Sequence, residues 1–230
     1  MNSLPREAKV VVIGGGIAGC STAYHLAKNG WDTVLIERDV LTSGTTWHAA
    51  GMITQLGTTP QITKIRKYSV KFYNELKKIT GQDSSFRQTG TINIATSKAR
   101  MQEYLRQKSI SKIFDLNINL IDRKKFKELY PIAKSQDVIG GLHIPEDGQA
   151  DPQILTQTIS LAAKNAGVKI FENCKLEKIL KRGGEIRGVK TNKGLINCEY
   201  IVLCAGMWSR QIGEAAGVSV PLYPNERLSG

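Results

Sequence analysis

The chain has 230 residues, enough for one substantial core and a second, smaller lobe, and its 41 % hydrophobic and 23 % charged residues exclude general disorder. Lys and Arg exceed Asp and Glu by a net charge of +12, a field that favours anionic partners, nucleic acid among them. The basic residues are spread over 64–78, 98–134 and 164–193 without an aromatic platform or a nucleic-acid motif, so they read as a solvated Lys-rich surface.

The amino terminus MNSLPREAK has no long apolar stretch and reads as neither a signal peptide nor a membrane span. A strand is predicted at once over Lys9–Ile13, followed by the turn GGGIAG and a helix over Ile17–Lys28 that stops at Asn29-Gly30. A second apolar strand, Thr33–Glu37, ends in an acid. The two strands of such a unit lie parallel. Residues 38–57 are rich in Gly, Thr and Ser and too long for a plain connection, which marks a functional loop.

Ile62, Ile65, Tyr68, Phe72, Leu76 and Ile79 fall at helical spacing over 62–80, and residues 88–95 alternate like a half-buried strand. The stretch 98–134 is basic and helix-leaning, with Pro131 as a break, and 138–144 returns to strand. Asp151-Pro152 is a helix start and Gly167 a stop, with Ile154, Leu155, Ile159, Ala162 and Ala163 on one face. Asp147 fits a turn.

Strands are then predicted over 168–171, 175–180, 186–191, 195–198 and 201–205, the last covered on both faces. Four cysteines, Cys20, Cys174, Cys198 and Cys204, have no metal-ligand spacing and read as buried reduced thiols, which makes a reducing cytoplasm the default. No metal site is expected. His25 and His143 read as packed or surface residues.

Gly14, Gly16 and Gly19 fit G-x-G-x-x-G, with Glu37 eighteen residues beyond the last glycine. The first permits a tight turn, the second lets a pyrophosphate approach the backbone, and the third lets the helix pack on the strand. The helix amino terminus, at Ile17 and Ala18, offers free N–H groups and partial positive charge to the phosphates. Glu37 can accept ribose hydroxyls and repel a 2′-phosphate. This unit alone does not choose between NAD and FAD.

The opening VVVIGGGIAGCSTAYHLAKNG, the VLIER segment, SGTTWHAAGM, DGQADP and VLCAGMWS together resemble the D-amino-acid-oxidase-type FAD oxidoreductases, most closely the branch of dimethylglycine and sarcosine dehydrogenases. The resemblance covers roughly residues 8–224. It implies an α/β fold: an FAD-binding Rossmann-like parallel sheet of the glutathione-reductase type with an inserted α+β substrate lobe. The expected division is a first FAD-binding part at 1–84, a substrate-lobe part at 85–146, and a second FAD-binding part at 147–230.

The resemblance also implies that His48, the histidine of TWHAAG, is joined covalently to the flavin through a methyl group of its dimethylbenzene ring. Gly44, Thr45, Thr46, Trp47, Ala49, Ala50, Gly51 and Met52 complete the flavin-hugging loop, their small members letting backbone lie along the ring. Glu37 and Arg38 are expected at the adenosine ribose, Leu176 at the adenine through its backbone, and Ala205, Gly206 and Trp208 near the FAD.

The activity implied is oxidation of the C–N bond of an N-methylated amino acid by hydride transfer to flavin. An electron-transfer flavoprotein or oxygen would be the acceptor, and tetrahydrofolate a cofactor only if a separate folate domain exists. No catalytic acid or base is identified. Family catalytic domains continue past this chain's end, and PLYPNERLSG leaves the family pattern after Pro224. A fragment, or one half of a split enzyme with a complementary C-terminal chain, is therefore expected. The alternatives are a non-catalytic regulatory relative, which the presence of His48 opposes, an inactive fragment of such an enzyme, and a basic nucleic-acid-binding protein.

Overall fold

The computed structural model describes residues 3–225. In chain order these form β1 (Glu7–Ile13), α1 (Ile17–Lys28), β2 (Thr33–Ile36), a 3-10 turn (Thr45–His48), β3 (Met52–Ile53), α2 (Pro60–Thr80), β4 (Thr91–Ala95), α3 (Lys98–Ser111), β5 (Asn119–Ile121), α4 (Arg123–Leu129), β6 (Gly140–Ile144), β7 (Gly148–Gln149), α5 (Pro152–Asn165), β8 (Lys169–Phe171), β9 (Leu176–Arg182), β10 (Glu185–Thr191), β11 (Gly194–Leu203) and α6 (Ser209–Ala215). Two compact units result. One holds the described residues up to Ala50, Leu76–Asp83 and those from Pro152 on; the other holds Gly51–Glu75 and Ser84–Asp151.

The first unit is built on a six-stranded sheet in the order β8-β2-β1-β11-β10-β9. β8, β2, β1 and β11 run parallel, while β10 and β9 are antiparallel. The parallel strands are apolar on both faces because both faces are covered: Val10, Val11, Val12, Val34, Leu35 and Ile36 are buried. Each such side chain contributes roughly 1.5–3 kcal/mol by leaving water. Val11, Ile13, Val34 and Ile36 join Val189, Ile196, Cys174 and Cys198 in one core. α1 packs on α5, both lined with small residues, Cys20 and Ala23 on one and Ala162 and Ala163 on the other, all buried.

β11 replaces two predicted strands with one of ten residues. Glu199 and Tyr200, which lie between the two predicted strands, are exposed, and the strand runs through them. Asn197 pairs antiparallel with Gly188 and parallel with Glu7, so this strand joins the two halves of the sheet. Ile201–Ala205, predicted to be covered on both faces, is only half-buried. Ile154 of α5 is also exposed, while Leu155, Ile159, Ala162 and Ala163 form the buried face.

The second unit contains a three-stranded antiparallel sheet, β4-β6-β5, and the short pair β3-β7. β5 lies inside the stretch expected to be helical; Ile121 is its buried residue, with Ile118 buried just before it. α3 is capped by Ser97, whose hydroxyl accepts from Arg100 N–H, and α4 by Asp122, which accepts from Lys125 N–H at 2.7 Å. Over α2 the predicted apolar face is buried at Phe72 and Leu76, but Ile62, Ile65 and Tyr68 are exposed. Asp147 is more than a turn residue. Its carboxylate is fully buried, accepting from Gln55 N–H at 2.8 Å and from the Thr91 hydroxyl at 2.6 Å.

The observed division differs from the expected one in two places. Residues 51–75 pack with the second unit rather than the first, because β3 pairs with β7 and Gly51 O accepts from Ala150 N–H. The later boundary falls after Asp151 rather than before Asp147, since β7 belongs to that same pair. No described helix is long and apolar enough to cross a membrane.

Candidate functional site

The turn after β1 is made of glycine for steric reasons that can be read atom by atom. Gly14 has φ +112°, and a Cβ there would lie 2.4 Å from Cys204 O. A Cβ on Gly15 would meet Leu41 and Glu37, and one on Gly16 would lie 2.9 Å from the Thr46 hydroxyl. Gly19 is the tightest: its Cβ would stand 1.8 Å from Gly14 O. Strand, turn and helix therefore approach as closely as backbone allows, leaving the α1 amino terminus open beside the turn.

At that terminus Gly16 is the N-cap and has no side chain to satisfy the helix, and the first turn carries no acid. Ile17 N–H donates to Thr46 Oγ1 at 3.1 Å. Among the described residues the N–H groups of Gly16 and Ala18 make no hydrogen bond. Two free donors at the positive end of a helix fit an anionic group.

Glu37 stands at the end of β2, half-buried, with each carboxylate oxygen engaged by backbone. Oε2 accepts from Gly15 N–H at 2.6 Å and Oε1 from Asp39 N–H at 3.0 Å. Each oxygen keeps a lone pair for a sugar hydroxyl. Arg38 lies with its guanidinium 3.9 Å from the centre of the Trp208 ring and its Nε 2.9 Å from Asp39 Oδ2. Trp208 also borders Gly44, whose Cβ would lie 3.4 Å from the indole.

The 3-10 turn Thr45–His48 is docked on this arrangement by its two threonines. Thr46 meets α1 as described, and Thr45 Oγ1 lies 3.2 Å from where a Cβ on Gly206 would stand. His48 is exposed, with its ring 4.0 Å from that of Trp47 and Nδ1 3.3 Å from Gly44 O. A carbonyl only accepts, so Nδ1 is the donor in this contact and Nε2 is left out of it. The sequence motif thus supplies an outward-facing imidazole nitrogen beside a phosphate-type cradle.

Gly14, Gly16, Ile17, Ala18, Gly19, Glu37, Arg38, Gly44, Thr45, Thr46, Trp47, His48, Ala49, Ala50, Ala205, Gly206, Trp208 and Leu176 all lie in the first unit, whereas Gly51 and Met52 belong to the second. Leu176 opens β9, two residues after Cys174, whose N–H donates to Glu37 O at 2.7 Å. Sequence reasoning missed four residues. Gly15 holds Glu37; Thr42, at φ +73°, donates its N–H to Gly15 O; and Leu41 N–H is held by Glu172. The middle glycine of the GGG run was a visible signal for Gly15, while nothing in the sequence assigned a contact to Leu41, Thr42 or Glu172.

All four cysteines are free thiols. Burial pushes the Cys20 thiol up to about 12, helped by the charge of Glu37, and the Cys198 thiol up to about 11. Cys174 and Cys204 are raised as well, by burial. Cys20, Cys174 and Cys198 are core residues, whereas Cys204, expected to be buried, is only half-buried because it lies just past the end of β11. Among the described residues no group of three or more His, Cys, Asp or Glu is placed to hold a metal ion.

Known proteins resemble this chain in sequence and in fold. The curated 4-methylaminobutanoate oxidase (formaldehyde-forming) of Paenarthrobacter nicotinovorans is 38 % identical over 98 % of this chain and 27 % of its own length. Human mitochondrial sarcosine dehydrogenase is 38 % identical over 95 % of this chain and 25 % of its own. The chain thus spans about a quarter of these relatives. The crystal structure of L-proline dehydrogenase from P. horikoshii superposes with a TM-score of 0.88 at 32 % identity, covering 94 % of this chain and 57 % of that one. The FAD dependent oxidoreductase family, DAO, matches residues 9–228, and the open helix terminus, close-approach glycines and ribose-type carboxylate fit the cofactor in its name: the chain belongs to this family of FAD dependent oxidoreductases.

Proposed function

We propose that this chain is the FAD-binding part of an amine oxidoreductase acting on an N-methylated amino acid, with His48 as the point of covalent attachment. The observation that carries the reading is the docking of the Thr45–His48 turn on the α1 amino terminus, through Thr46 and Ile17 N–H at 3.1 Å. It sets an exposed imidazole beside an anion cradle, which a binder of free nucleotide has no use for.

Each residue has a task that follows from its chemistry. Gly16 and Ala18 N–H donate to the pyrophosphate, with the helix dipole behind them. Glu37 accepts the adenosine ribose hydroxyls and stays fixed by Gly15 and Asp39. Arg38, stacked on Trp208 and paired with Asp39, flanks the adenosine rather than a second phosphate. His48 offers Nε2, and Gly44 O keeps its ring turned that way. The bound flavin would supply a two-electron acceptor for the hydride on the carbon next to the substrate nitrogen.

The substrate class rests on what the relatives' names state, sarcosine and 4-methylaminobutanoate each carrying an N-methylated amine and a carboxylate. The net charge of +12 suits such a carboxylate. Electron-transfer flavoprotein or oxygen is the proposed acceptor, a complementary C-terminal chain the proposed partner, and a reducing compartment such as the cytoplasm the proposed location, in keeping with four free thiols.

The test is acid precipitation of protein expressed with excess FAD, followed by flavin fluorescence of the pellet. Retained flavin that moves to the supernatant in His48→Ala supports the attachment. Flavin found only in the supernatant of the wild-type protein refutes it, and protein that takes up no flavin refutes the cofactor assignment.

A further inference from the structure

The glycine turn, Glu37 and His48 account for most of the site, but the side chain of Thr46 has so far figured only as a contact. Its oxygen accepts from Ile17 N–H at 3.1 Å, and it would be only 2.9 Å from a Cβ on Gly16. A threonine hydroxyl that accepts one bond still has its own proton to donate. The free N–H groups of Gly16 and Ala18 lie on either side of Ile17 in the chain, so that proton can be turned toward an anion held at the helix terminus. Thr46 is also the second residue of the four-residue turn that ends in His48, and Ala49 N–H closes that turn on Thr46 O at 3.2 Å.

Resting on the dinucleotide reading above, we propose that Thr46 is a positioning residue that transmits occupation of the α1 terminus by a diphosphate to the turn carrying His48. Without a diphosphate, the hydroxyl proton has no fixed acceptor, and the bond from Ile17 N–H is the hydrogen bond that ties Thr46 to α1. With one, Thr46 bonds on both sides and the turn is fixed relative to the helix. Phosphate binding then orients the imidazole, although no phosphate touches it. A hydroxyl to a charged acceptor is a charge-assisted bond, about twice as strong as a neutral one.

The experiment uses ADP and adenosine as probes on the full chain, with wild type, Thr46→Ser, Thr46→Val and Thr46→Ala. Valine keeps the shape and removes the hydroxyl; alanine guards against a variant that fails to fold. Expected are about tenfold weaker ADP binding in the valine and alanine variants, adenosine affinity within twofold of wild type, and restoration of ADP binding by serine. The second readout is the ring signal of His48 in histidine-labelled protein, one of only three histidines. It should shift on saturation with ADP in wild type and Thr46→Ser, and stay put at saturation in Thr46→Val. Equal losses for ADP and adenosine, or an unchanged His48 response in the valine variant, overturn the proposal while leaving the cofactor reading intact. Failure of the wild-type protein to bind ADP overturns both.

Discussion

Replacing Gly19 by alanine sets two effects of opposite sign against each other. In an ordinary helix interior the change gains roughly 0.8–1.0 kcal/mol, because alanine restricts the unfolded chain and suits the helix. Here the added Cβ would stand 1.8 Å from Gly14 O and 3.0 Å from Gly14 C, both backbone atoms with no rotamer to yield. Relief requires α1 to move away from β1 by an ångström or more. Overpacking of this kind costs about 1–3 kcal/mol, and a rigid obstacle puts the cost at the upper end. The net loss is about 2 kcal/mol, which lowers Tm by roughly 4–8 °C in a chain of this size. Thermal melts by circular dichroism give the answer, with FAD titration alongside, since the same displacement opens the phosphate cradle. A Tm equal to or above wild type would show that the helix and turn are not in this contact.

Glu37→Gln keeps the shape but replaces charged acceptors by neutral ones. With Gly15 N–H at 2.6 Å and Asp39 N–H at 3.0 Å affected, about 1 kcal/mol of stability and roughly tenfold in FAD affinity should go, read by melting and by fluorescence titration. Burial holds the Asp147 carboxyl above its ordinary range, so the fold binds that proton more tightly than the unfolded chain does. Stability should fall as pH rises from the ordinary carboxylate value through the raised one, then level off, and Asp147→Asn should flatten that part of a melt series. Thiol labelling at pH 8 should leave Cys20 untouched, since a group near 12 is roughly one part in ten thousand thiolate there, while half-buried Cys204 reacts first; early mass-tagging of Cys20 would contradict the packing of α1.

The first strand, helix and second strand were legible because each local signal agreed with the next. Lys9–Ile13, Ile17–Lys28 and Thr33–Glu37 match β1, α1 and β2 within two residues. The dinucleotide residues followed, since the requirement at Gly14 and Gly19 is one of local sterics. Less could be seen where tertiary context decides. β5 is three residues long in a lysine-rich stretch, and its strand identity comes from pairing with β6. The assignment of Gly51–Glu75 depends on a two-residue pair with a strand almost a hundred residues away. Thr42 adopts a positive φ that its sequence gives no reason to expect. Within the site, TTWHAAG pointed to His48, but the role of Thr46 depends on where α1 lies, which no spacing in the loop encodes.

β11 carries a last consequence, for the order of assembly. β1 pairs with β2 within thirty residues, but its other edge is closed by Asn197–Leu203, and Ile13 O accepts from Cys204 N–H at 2.8 Å. Synthesis delivers the glycine turn early and its flanking strand almost two hundred residues later. Until then one edge of β1 has no partner, exposing apolar ladder to neighbouring chains. Such long-range closure is slow. The nucleotide cradle is therefore encoded first and completed last, and a cofactor arriving before β11 would find half a site.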